Sequence, residues 1–484
     1  MTVVHPSADL LIIGGGVSGL AAAIAALKAA PELSLLILEK EEKAARKLPA
    51  TGNGRCNISH RPLLSENFFT ADRGSFERLL AALGKDRDMQ LFRKLGLLLR
   101  KDEAGRYYPY AEEASAVHKA LTEAAAKSGA RLLLSSPVAW LSKDQKEDLF
   151  LCRLENGKEF SAAKVIFAPG SPAAPRLGGS FSGERLLEDL GLACLPFLPA
   201  LSPLILEEMP FCRQASGARF KGRGRLLGQD GSLVAESEGE FLITDYGISG
   251  IAAMDLAACL SDLGLYEGRD DEYFLPQSLQ LELDFFPDLD ARELARFFAE
   301  KWQRLSSERL STEDLSSESF YPEGLSSDEE SCRDSVSTQT HAEALLSGLL
   351  HSRIIAGLKA ISALEDFDRQ PEKKARSLAW KLKGFTLTLK GCMGFERAQI
   401  ARGGLSLKEI RDDFSCKKIP GLYVCGETLD VCGQSGGYNL AFAFMSGSKA
   451  GEAAARSFHA SASQAAPSLK KSSVKASRRL CTLA

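Results

Sequence analysis

A glycine-rich turn near the start of the chain constrains the fold more than any other feature of the sequence. The apolar segment ADLLII (8–13) leads into Gly14-x-Gly16-x-x-Gly19, an alanine-rich segment follows, and LSLLILEK (33–40) is apolar again. This order predicts strand, turn, helix and strand. Gly14 permits the tight turn, Gly16 lets the backbone approach a pyrophosphate, and Gly19 lets the helix pack on the strand. The segment therefore predicts a dinucleotide site in an α/β domain.

Two carboxylates specify the dinucleotide further. Glu39 lies 20 residues after Gly19 at the end of the second strand, where it can accept both hydroxyls of an adenosine ribose and would repel a 2′-phosphate. Near the C-terminus, GLYVCGETLDVCGQSGGYNLAFAF (421–444) reads as a strand ending at Gly426 and Glu427, a glycine-rich turn and a helix. A carboxylate there can bind ribityl hydroxyls, and the helix start can point its amides at a flavin pyrimidine. Together the motifs predict FAD.

The bulk composition limits the remaining classes of protein. The 484 residues suffice for two or three domains, and the net charge of −3 gives no general attraction to nucleic acid or to an anionic membrane. The 11 cysteines show no CxxC pair or zinc-like spacing, so no metal site is predicted. Cys425 and Cys432 lie seven residues apart, which disfavours a redox dithiol beside the flavin. No basic leader and no membrane-spanning run is evident, which predicts a cytoplasmic protein.

Changes in composition and periodicity along the chain predict its domains. We expect a discontinuous FAD-binding domain at 1–195 and 391–460, a β-rich barrel domain at 196–250 and 376–390, a helical insert at 251–375 and a disordered tail at 461–484. Within the insert, 306–340 is rich in Ser, Asp and Glu, which predicts a flexible segment. Helices are predicted at 66–99, 113–128, 251–263, 291–305, 342–364 and 438–456.

Several motifs resemble one known family. GGGVSGLAAA (14–23), KLPATGNGRCNIS (47–59), ITDYGISG (243–250) and the segment 421–451 are similar to the bacterial NAD(P)/FAD-dependent oxidoreductases of the aminoacetone-oxidase family, which include 3-dehydro-bile-acid-reductase-like flavoproteins. The TGNGRCN block is the most specific of these motifs. The resemblance covers nearly the whole chain except 306–340 and the tail. It implies an α/β fold with a GR-type, Rossmann-like FAD-binding domain and inserted β-barrel and helical domains.

The resemblance also implies which residues contact FAD. Carried over position by position, these are Gly14, Gly16, Gly19, Glu39, Lys47, Thr51, Gly54, Arg55, Cys56, Asn57, Val138, Gly426, Glu427, Gly437, Tyr438, Asn439 and Leu440.

Three positions depart from the family pattern. Residues 167–171 read FAPGS where relatives tend to show Thr-Gly-Gly, Asp245 replaces a common histidine, and Cys432 replaces a usual acidic residue. FAD binding tolerates these changes, whereas the substrate assignment depends on Asp245 and Cys432 if they line the active site. Asp245 could be a base, a residue that orients the ligand, or the N-cap of the following helix, and capping is the favoured interpretation.

The chemistry-bearing residues near these motifs are few. Arg55 could stabilise negative charge developing on an enone or carboxylate oxygen, or could instead bind pyrophosphate or brace its loop. Cys56 is either a flavin-proximal thiol or a small packing residue. Tyr438 and Tyr108 are candidate proton donors for ene reduction, and either could simply pack. The catalytic candidates are therefore Arg55, Tyr438 and Cys56.

Three functions remain open at this point. The leading interpretation is reduction of activated C=C bonds in a hydrophobic, steroid-like small molecule, with NAD(P)H as a transiently docked reductant because no second GxGxxG is present. The second is an FAD-dependent oxidase of small amines or amino-ketones such as aminoacetone. The third is a flavin-containing module that binds nucleic acid or a protein through two basic segments, Arg219 to Arg225 and a C-terminal tail (Lys470, Lys471, Lys475, Arg478, Arg479). Such basic runs are more often solvated surface, so no nucleic-acid partner is expected. The sequence does not predict the oligomeric state.

Overall fold

A computed structural model describes residues 7–316, 341–364 and 371–465. Most of the predicted flexible segment 306–340 and of the predicted tail 461–484 lies outside these residues. Where the two segments are described, at 306–316 and 461–465, the backbone is helical.

The described chain alternates strands and helices. The strands are β1 (Ala8–Ile13), β2 (Leu35–Leu38), β3 (Ser59–His60), β4 (Phe68–Phe69), β5 (Leu99–Lys101), β6 (Arg106–Pro109), β7 (Arg131–Leu133), β8 (Val138–Asp144), β9 (Leu149–Leu154), β10 (Glu159–Phe167), β11 (Cys194–Ala200), β12 (Leu204–Leu206), β13 (Arg219–Leu227), β14 (Leu233–Ile243), β15 (Gly247–Ser249), β16 (Tyr266–Glu267), β17 (Glu272–Asp284), β18 (Phe385–Met393), β19 (Ile400–Leu405), β20 (Leu422–Val424) and β21 (Cys432–Gly433). The helices are α1 (Val17–Ala29), α2 (Arg73–Leu83), α3 (Arg87–Lys94), α4 (Ala114–Lys127), α5 (Ser182–Asp189), α6 (Met209–Ala215), α7 (Ile251–Ala258), α8 (Ala291–Ser316), α9 (His341–Leu346), α10 (Ser352–Ala360), α11 (Pro371–Lys383) and α12 (Tyr438–Ala465).

The first sheet contains the predicted strand–helix–strand unit. β1 pairs in parallel with β2 and β10, β2 pairs with β7, and β10 pairs with β20 from the C-terminal part of the chain. The antiparallel hairpin of β8 and β9 extends the sheet beyond β10. Parallel strands are buried on both faces, which is why β2 and all of β1 except the half-buried Asp9 are apolar.

Close packing of two helices joins the ends of the chain. Gly447 and Gly451 lie about one turn apart in α12, and a Cβ at either position would collide with a backbone carbonyl oxygen of α1, at Ser18 or Ala22. Only glycine allows this approach. The C-terminal helix is therefore held directly against the helix that follows the glycine-rich turn.

The second sheet closes into an antiparallel barrel. Its strands follow the order β13-β14-β15-β12-β18-β17, and β13 pairs with β17 to complete the circle. The barrel and the first sheet confirm the predicted fold class. However, β17 lies inside the range predicted as the helical insert, because the alternation in its sequence is confined to the short segment LQLELD (279–284). The domain boundaries themselves stay a prediction.

Several predicted helices have different limits. The range 66–99 contains two shorter helices, α2 and α3, and the range 342–364 is split between α9 and α10, with Gly348 at φ +78° between them. α8 continues to Ser316, into the segment predicted to be flexible. No helix in the described ranges has both the length and the apolar character needed to cross a bilayer.

Candidate active site

A cavity of about 520 Å³ lies between the carboxyl ends of β1 and β2 and residues on the barrel side. This is the position at which open α/β sheets bind ligands. Many of the predicted FAD-contact residues line it: Gly14, Gly16, Glu39, Lys47, Thr51, Arg55, Asn57, Val138, Glu427, Gly437, Asn439 and Leu440. From the barrel side the cavity receives Leu201, Ile251, Arg397, Gln399 and Ile400.

The three glycines of the first motif have different surroundings. Gly14 has φ +102°, and a Cβ there would collide with the carbonyl oxygen of Ala168 at the end of β10. A Cβ at Gly19 would collide with the carbonyl oxygen of Gly14. In contrast, no atom lies within 4 Å of a Cβ built on Gly16. The space in front of α1 is therefore open, and the first N–H groups of that helix are free to bind a pyrophosphate.

Glu39 is held at the end of β2 by backbone donors. Its Oε2 accepts a hydrogen bond from the Gly15 N–H at 2.7 Å, and its Oε1 accepts one from the Glu41 N–H at 2.9 Å. Each carboxylate oxygen keeps a second lone pair for a ligand. This arrangement fits the predicted acceptance of ribose hydroxyls.

Asn57 lines the cavity and carries a buried, unsatisfied polar atom. Its Oδ1 is buried and has no hydrogen-bond partner. A Cβ at Gly437 would lie 2.5 Å from this oxygen, so the atom is next to the start of α12. A buried acceptor without a partner costs about 1–3 kcal/mol. The orphaned oxygen therefore fits a site that is completed by a ligand donor.

The C-terminal motif contributes the carboxylate of Glu427 and a glycine-rich turn whose backbone is fixed by hydrogen bonds. Glu427 accepts a hydrogen bond from the Ser171 hydroxyl, and its Oε2 lies 3.4 Å from the Lys47 Nζ. The Asn439 side chain binds both the N–H and the carbonyl oxygen of Gly433, each at 2.7 Å. These contacts fix the glycine-rich turn against α12. The open helix end, the two carboxylates and the orphaned oxygen together fit FAD.

The comparison with known families decides the assignment. The family described as HI0933-like protein, Rossmann domain, matches residues 8–453. The chain belongs to this HI0933-like family. It is accordingly an FAD-dependent oxidoreductase, as the sequence motifs predicted.

Relatives of this HI0933-like chain include proteins with two different names. The 3-dehydro-bile acid delta(4,6)-reductase of Clostridium scindens is 30% identical over 449 residues, which are 92% of this chain and 98% of the relative. The ribosomal RNA dihydrouridine synthase of Escherichia coli is 22% identical over 441 residues, which are 90% and 96% of the two chains.

A solved structure of a 3-ketosteroid-Δ4-(5α)-dehydrogenase from Rhodococcus jostii RHA1 is similar with a TM-score of 0.44 and 16% identity, covering 94% of this chain and 98% of that one. This remote likeness does not bear on the substrate.

Two of the three catalytic candidates in the HI0933-like chain do not line the cavity. The buried ring of Tyr438 stacks on His60 with centroids 4.3 Å apart, and burial raises the pKa of Tyr438 to about 12. Cys56 is fully buried, and burial raises its pKa to about 11. Their geometry favours packing roles. Gly19, Gly54 and Gly426 also lie outside the lining, and their contacts with FAD stay predictions.

Arg55 and Tyr108, in contrast, both line the cavity. The Arg55 guanidinium lies 5.3 Å from the centroid of the Tyr108 ring, and it pairs with no carboxylate among the described residues. Arg55 is therefore held by a cation–π contact while its charge remains available to a ligand.

Of the three departures from the family pattern, Asp245 and Cys432 lie away from the lining, whereas Ala168, Pro169 and Gly170 of the segment 167–171 line the cavity. Cys432 is fully buried in a small apolar cluster with Leu201 and Ile400. Asp245 is exposed between β14 and β15, and the N-cap of α7 is Gly250. The interpretation of Asp245 as the cap of that helix is therefore wrong. Cys425 and Cys432 are free thiols whose pKa values are raised by burial, so neither resembles a reactive flavin-side thiol.

Sequence reasoning missed several residues of the site. Asp255 in α7 accepts hydrogen bonds from the Ser435 N–H at 2.6 Å and from the Ser435 hydroxyl at 2.7 Å, which ties the flavin-side loop to the barrel side. Desolvation raises the pKa of Asp255. Arg397 and Gln399 line the cavity from a turn that carries no recognisable motif. Tyr246 lies next to Asp245 in the ITDYGISG motif, where its residue type alone indicates no role.

Proposed function

We propose that this HI0933-like flavoenzyme reduces an activated C=C bond, one conjugated to a carbonyl, in a hydrophobic, steroid-like small molecule, with NAD(P)H as the electron donor. The observation that carries the proposal is the 30% identity, over 92% of the chain, to a relative named as a 3-dehydro-bile acid delta(4,6)-reductase.

The barrel side of the cavity supports an apolar substrate. Leu201, Ile251 and Ile400 line this side, and Ile251 is 45% exposed at the start of α7. Contact between an exposed isoleucine in a concave site and an apolar ligand removes the apolar surface of both from water, which favours binding. These side chains would pack on the rigid body of the substrate.

The other wall would hold the cofactor. We infer that the amides in front of α1 bind the pyrophosphate, Glu39 the adenosine ribose, Glu427 the ribityl chain, and the start of α12 the flavin pyrimidine. Bound FAD supplies hydride transfer. The remaining predicted contacts, including Lys47, Thr51, Asn57 and Val138, belong to the same proposal.

Arg55 and Tyr108 are the residues we place at the reacting atoms. As a hydride adds to the β-carbon of an enone, negative charge develops on the carbonyl oxygen, and the unpaired Arg55 guanidinium stabilises it. The Tyr108 hydroxyl then gives a proton to the α-carbon. One hydride and one proton complete the reduction, and NAD(P)H provides the electron pair.

Reduction within RNA is the second candidate, because relatives named as ribosomal RNA dihydrouridine synthases cover nine tenths of the chain. Dihydrouridine is uridine with two hydrogens added across a C=C bond, so the chemistry is the same. The basic segment Arg219 to Arg225 argues against an RNA surface there, because its arginines are paired with glutamates of β14. The tail arginines and lysines lie outside the described residues.

Anaerobic stopped-flow spectroscopy tests the proposal. The purified yellow protein is mixed with NADH, NADPH or aminoacetone, and the reduced enzyme is then mixed with a 3-keto-4-ene steroid or with unmodified ribosomal RNA. We expect bleaching by a nicotinamide and reoxidation by the steroid. Bleaching by aminoacetone with rapid oxygen uptake would favour the amine oxidase, and reoxidation by RNA alone would favour the second candidate.

Two tyrosine variants refine this experiment. Tyr108→Phe should slow steroid-dependent reoxidation by about a hundred-fold, the usual size of a lost general acid. Tyr110 carries a similar contact, with the Arg100 guanidinium 5.9 Å from its ring centroid, but lies on the surface outside the cavity. Tyr110→Phe should react as the wild type does. Equal rates in both variants would remove Tyr108 from the mechanism.

A further inference from the structure

Arg397 is a charged residue of the cavity that is not among the predicted FAD contacts. It lies between β18 and β19, on the barrel side, and its side chain is exposed. Its guanidinium lies 5.0 Å from the centroid of the Tyr246 ring, and its Nη1 donates to the Tyr246 hydroxyl at 3.2 Å. Among the described residues, no carboxylate forms an ion pair with it.

The turn that carries Arg397 is anchored on both sides. Asp271 of the barrel side accepts a hydrogen bond from the Glu396 N–H at 2.9 Å. The Ala174 N–H donates to the carbonyl oxygen of Phe395 at 2.9 Å, and Arg176 forms an ion pair with Glu396 at 3.2 Å. Because the turn is tied at three points and Tyr246 supports the guanidinium, Arg397 is held in place before a ligand arrives. Such preorganisation lowers the cost of binding.

A similar pair elsewhere shows what is unusual about Arg397. Arg100 also lies over a tyrosine ring, that of Tyr110, but it forms an ion pair with Glu112. Arg100 is therefore neutralised within the protein, whereas Arg397 keeps its charge and faces the cavity. The neighbouring carboxylate Glu396 is already engaged by Arg176.

We propose that Arg397 binds an anionic group, a carboxylate, on a substrate whose body is otherwise apolar. Leu201, Ile251 and Ile400 provide the apolar surface on the same side of the cavity, and a guanidinium recognises a carboxylate through paired hydrogen bonds. This inference rests on the proposed function and narrows it to acidic enones. Arg397 is a specificity residue in this proposal and takes no part in the hydride or proton steps.

The same guanidinium could instead meet a phosphate of NAD(P)H. A substrate carboxylate and a nicotinamide phosphate both present anionic oxygens. If Arg397 binds the carboxylate, its loss changes the KM for the substrate, whereas if it binds the phosphate, its loss changes the KM for NAD(P)H. We assign the substrate carboxylate because Leu201, Ile251 and Ile400 line the same side of the cavity as Arg397 and offer apolar surface to a steroid body.

A matched pair of ligands tests the assignment. Wild type, Arg397→Gln, Arg397→Lys and the control Arg100→Gln are assayed with a 3-keto-4-ene steroid that ends in a carboxylate and with its methyl ester. Binding of the two corresponding saturated products is measured by isothermal titration of the FAD-loaded protein, which requires no turnover.

We expect wild type to favour the acid over the ester by about ten- to a hundred-fold in KM and in product Kd, as for one charged hydrogen-bonded pair. Arg397→Gln should abolish this preference, so that acid and ester have similar KM and product Kd values. Arg397→Lys should keep part of the preference, and the control Arg100→Gln should keep all of it. Equal binding of acid and ester by wild type would overturn the inference, as would an Arg397→Gln effect confined to the KM for NAD(P)H. If neither steroid is reduced, the proposed function fails, and the titration still decides whether Arg397 selects a carboxylate.

Discussion

Two groups of arginines in this protein have opposite surroundings. On β13, Arg219, Arg223 and Arg225 each form an ion pair with a glutamate of the neighbouring strand β14, at Glu240, Glu238 and Glu236 respectively. In the cavity, Arg55 and Arg397 each lie over a tyrosine ring and have no carboxylate partner among the described residues. The first group is neutralised by the fold, whereas the second retains its charge for a ligand.

This difference shows why a basic run in a sequence is weak evidence for a nucleic-acid surface. The run Arg219 to Arg225 suggested such a surface because its partners lie 11 to 21 residues further along the chain. The antiparallel register places Arg223 directly opposite Glu238 and Arg225 opposite Glu236. Opposite charges at facing positions stabilise the strand pair and leave little net field outside it.

The largest effect is expected for the unpaired cavity charge. Arg55→Gln should lower kcat at saturating FAD by about 10²- to 10³-fold, as for loss of a donor to a developing oxyanion, and Arg55→Lys should recover part of that loss. Steady-state kinetics with the steroid enone, together with FAD titration of the apoprotein, measures both quantities. A weaker FAD affinity with an unchanged kcat would instead assign Arg55 to pyrophosphate binding.

The nucleotide-binding unit could be predicted because its signals are local. The glycines at 14, 16 and 19 and the carboxylate at 39 all lie within one strand–helix–strand segment, in which neighbouring backbone atoms exclude a side chain at Gly14 and Gly19 and the Gly15 N–H holds Glu39. The barrel strand β17 was harder, because Pro276 and a shift in register between Phe274 and Leu279 interrupt its alternating pattern. Only a short part of β17 therefore keeps the alternation of apolar and polar residues that is typical of a strand.

The substrate side of the site could not be predicted from the sequence. Arg397 becomes notable only when Tyr246, about 150 residues earlier in the chain, is placed beneath its guanidinium. In the same way, Tyr438 looked like a proton donor beside two glycines, but the fold turns its ring onto His60. Residue type indicates which chemistry is available, and long-range packing decides which side chains reach the ligand.

An effect of intermediate size is expected for Glu427. Its carboxylate lines the cavity, and its cationic neighbour Lys47 lines the cavity as well. Glu427→Ala should weaken FAD binding by about ten- to a hundred-fold, since a buried ligand hydroxyl left unpaired costs about 1–3 kcal/mol. Glu427→Gln keeps an acceptor and should lose less. Isothermal titration of the apoprotein with FAD measures each affinity.

Glu39→Ala should cause a similar loss at the adenosine end. The two effects should be nearly additive, because Glu39 and Glu427 share no hydrogen-bond partner and are predicted to hold opposite ends of one ligand. If Glu427→Ala binds FAD as tightly as wild type while Glu39→Ala is impaired, the C-terminal motif does not hold the ribityl chain.

The smallest effect is expected on the barrel hairpin. Arg223 donates to Glu238 Oε2 through Nε at 3.0 Å and Nη2 at 2.9 Å, and both side chains are partly exposed. Exposed ion pairs contribute about 0.2–1 kcal/mol and weaken with salt. Arg223→Gln should therefore lower the free energy of unfolding by no more than about 1 kcal/mol and should leave kcat, FAD affinity and RNA binding unchanged.

A double-mutant cycle with Glu238→Gln, followed by denaturant unfolding at low and high salt, isolates the pair. The coupling should be small at low salt and vanish at high salt, because the screening ions replace the partner charge. A marked loss of RNA affinity in Arg223→Gln would contradict the distinction between the paired arginines of β13 and the unpaired arginines of the cavity. It would mean that an arginine already paired within the hairpin still binds nucleic acid, and the second candidate function would gain support.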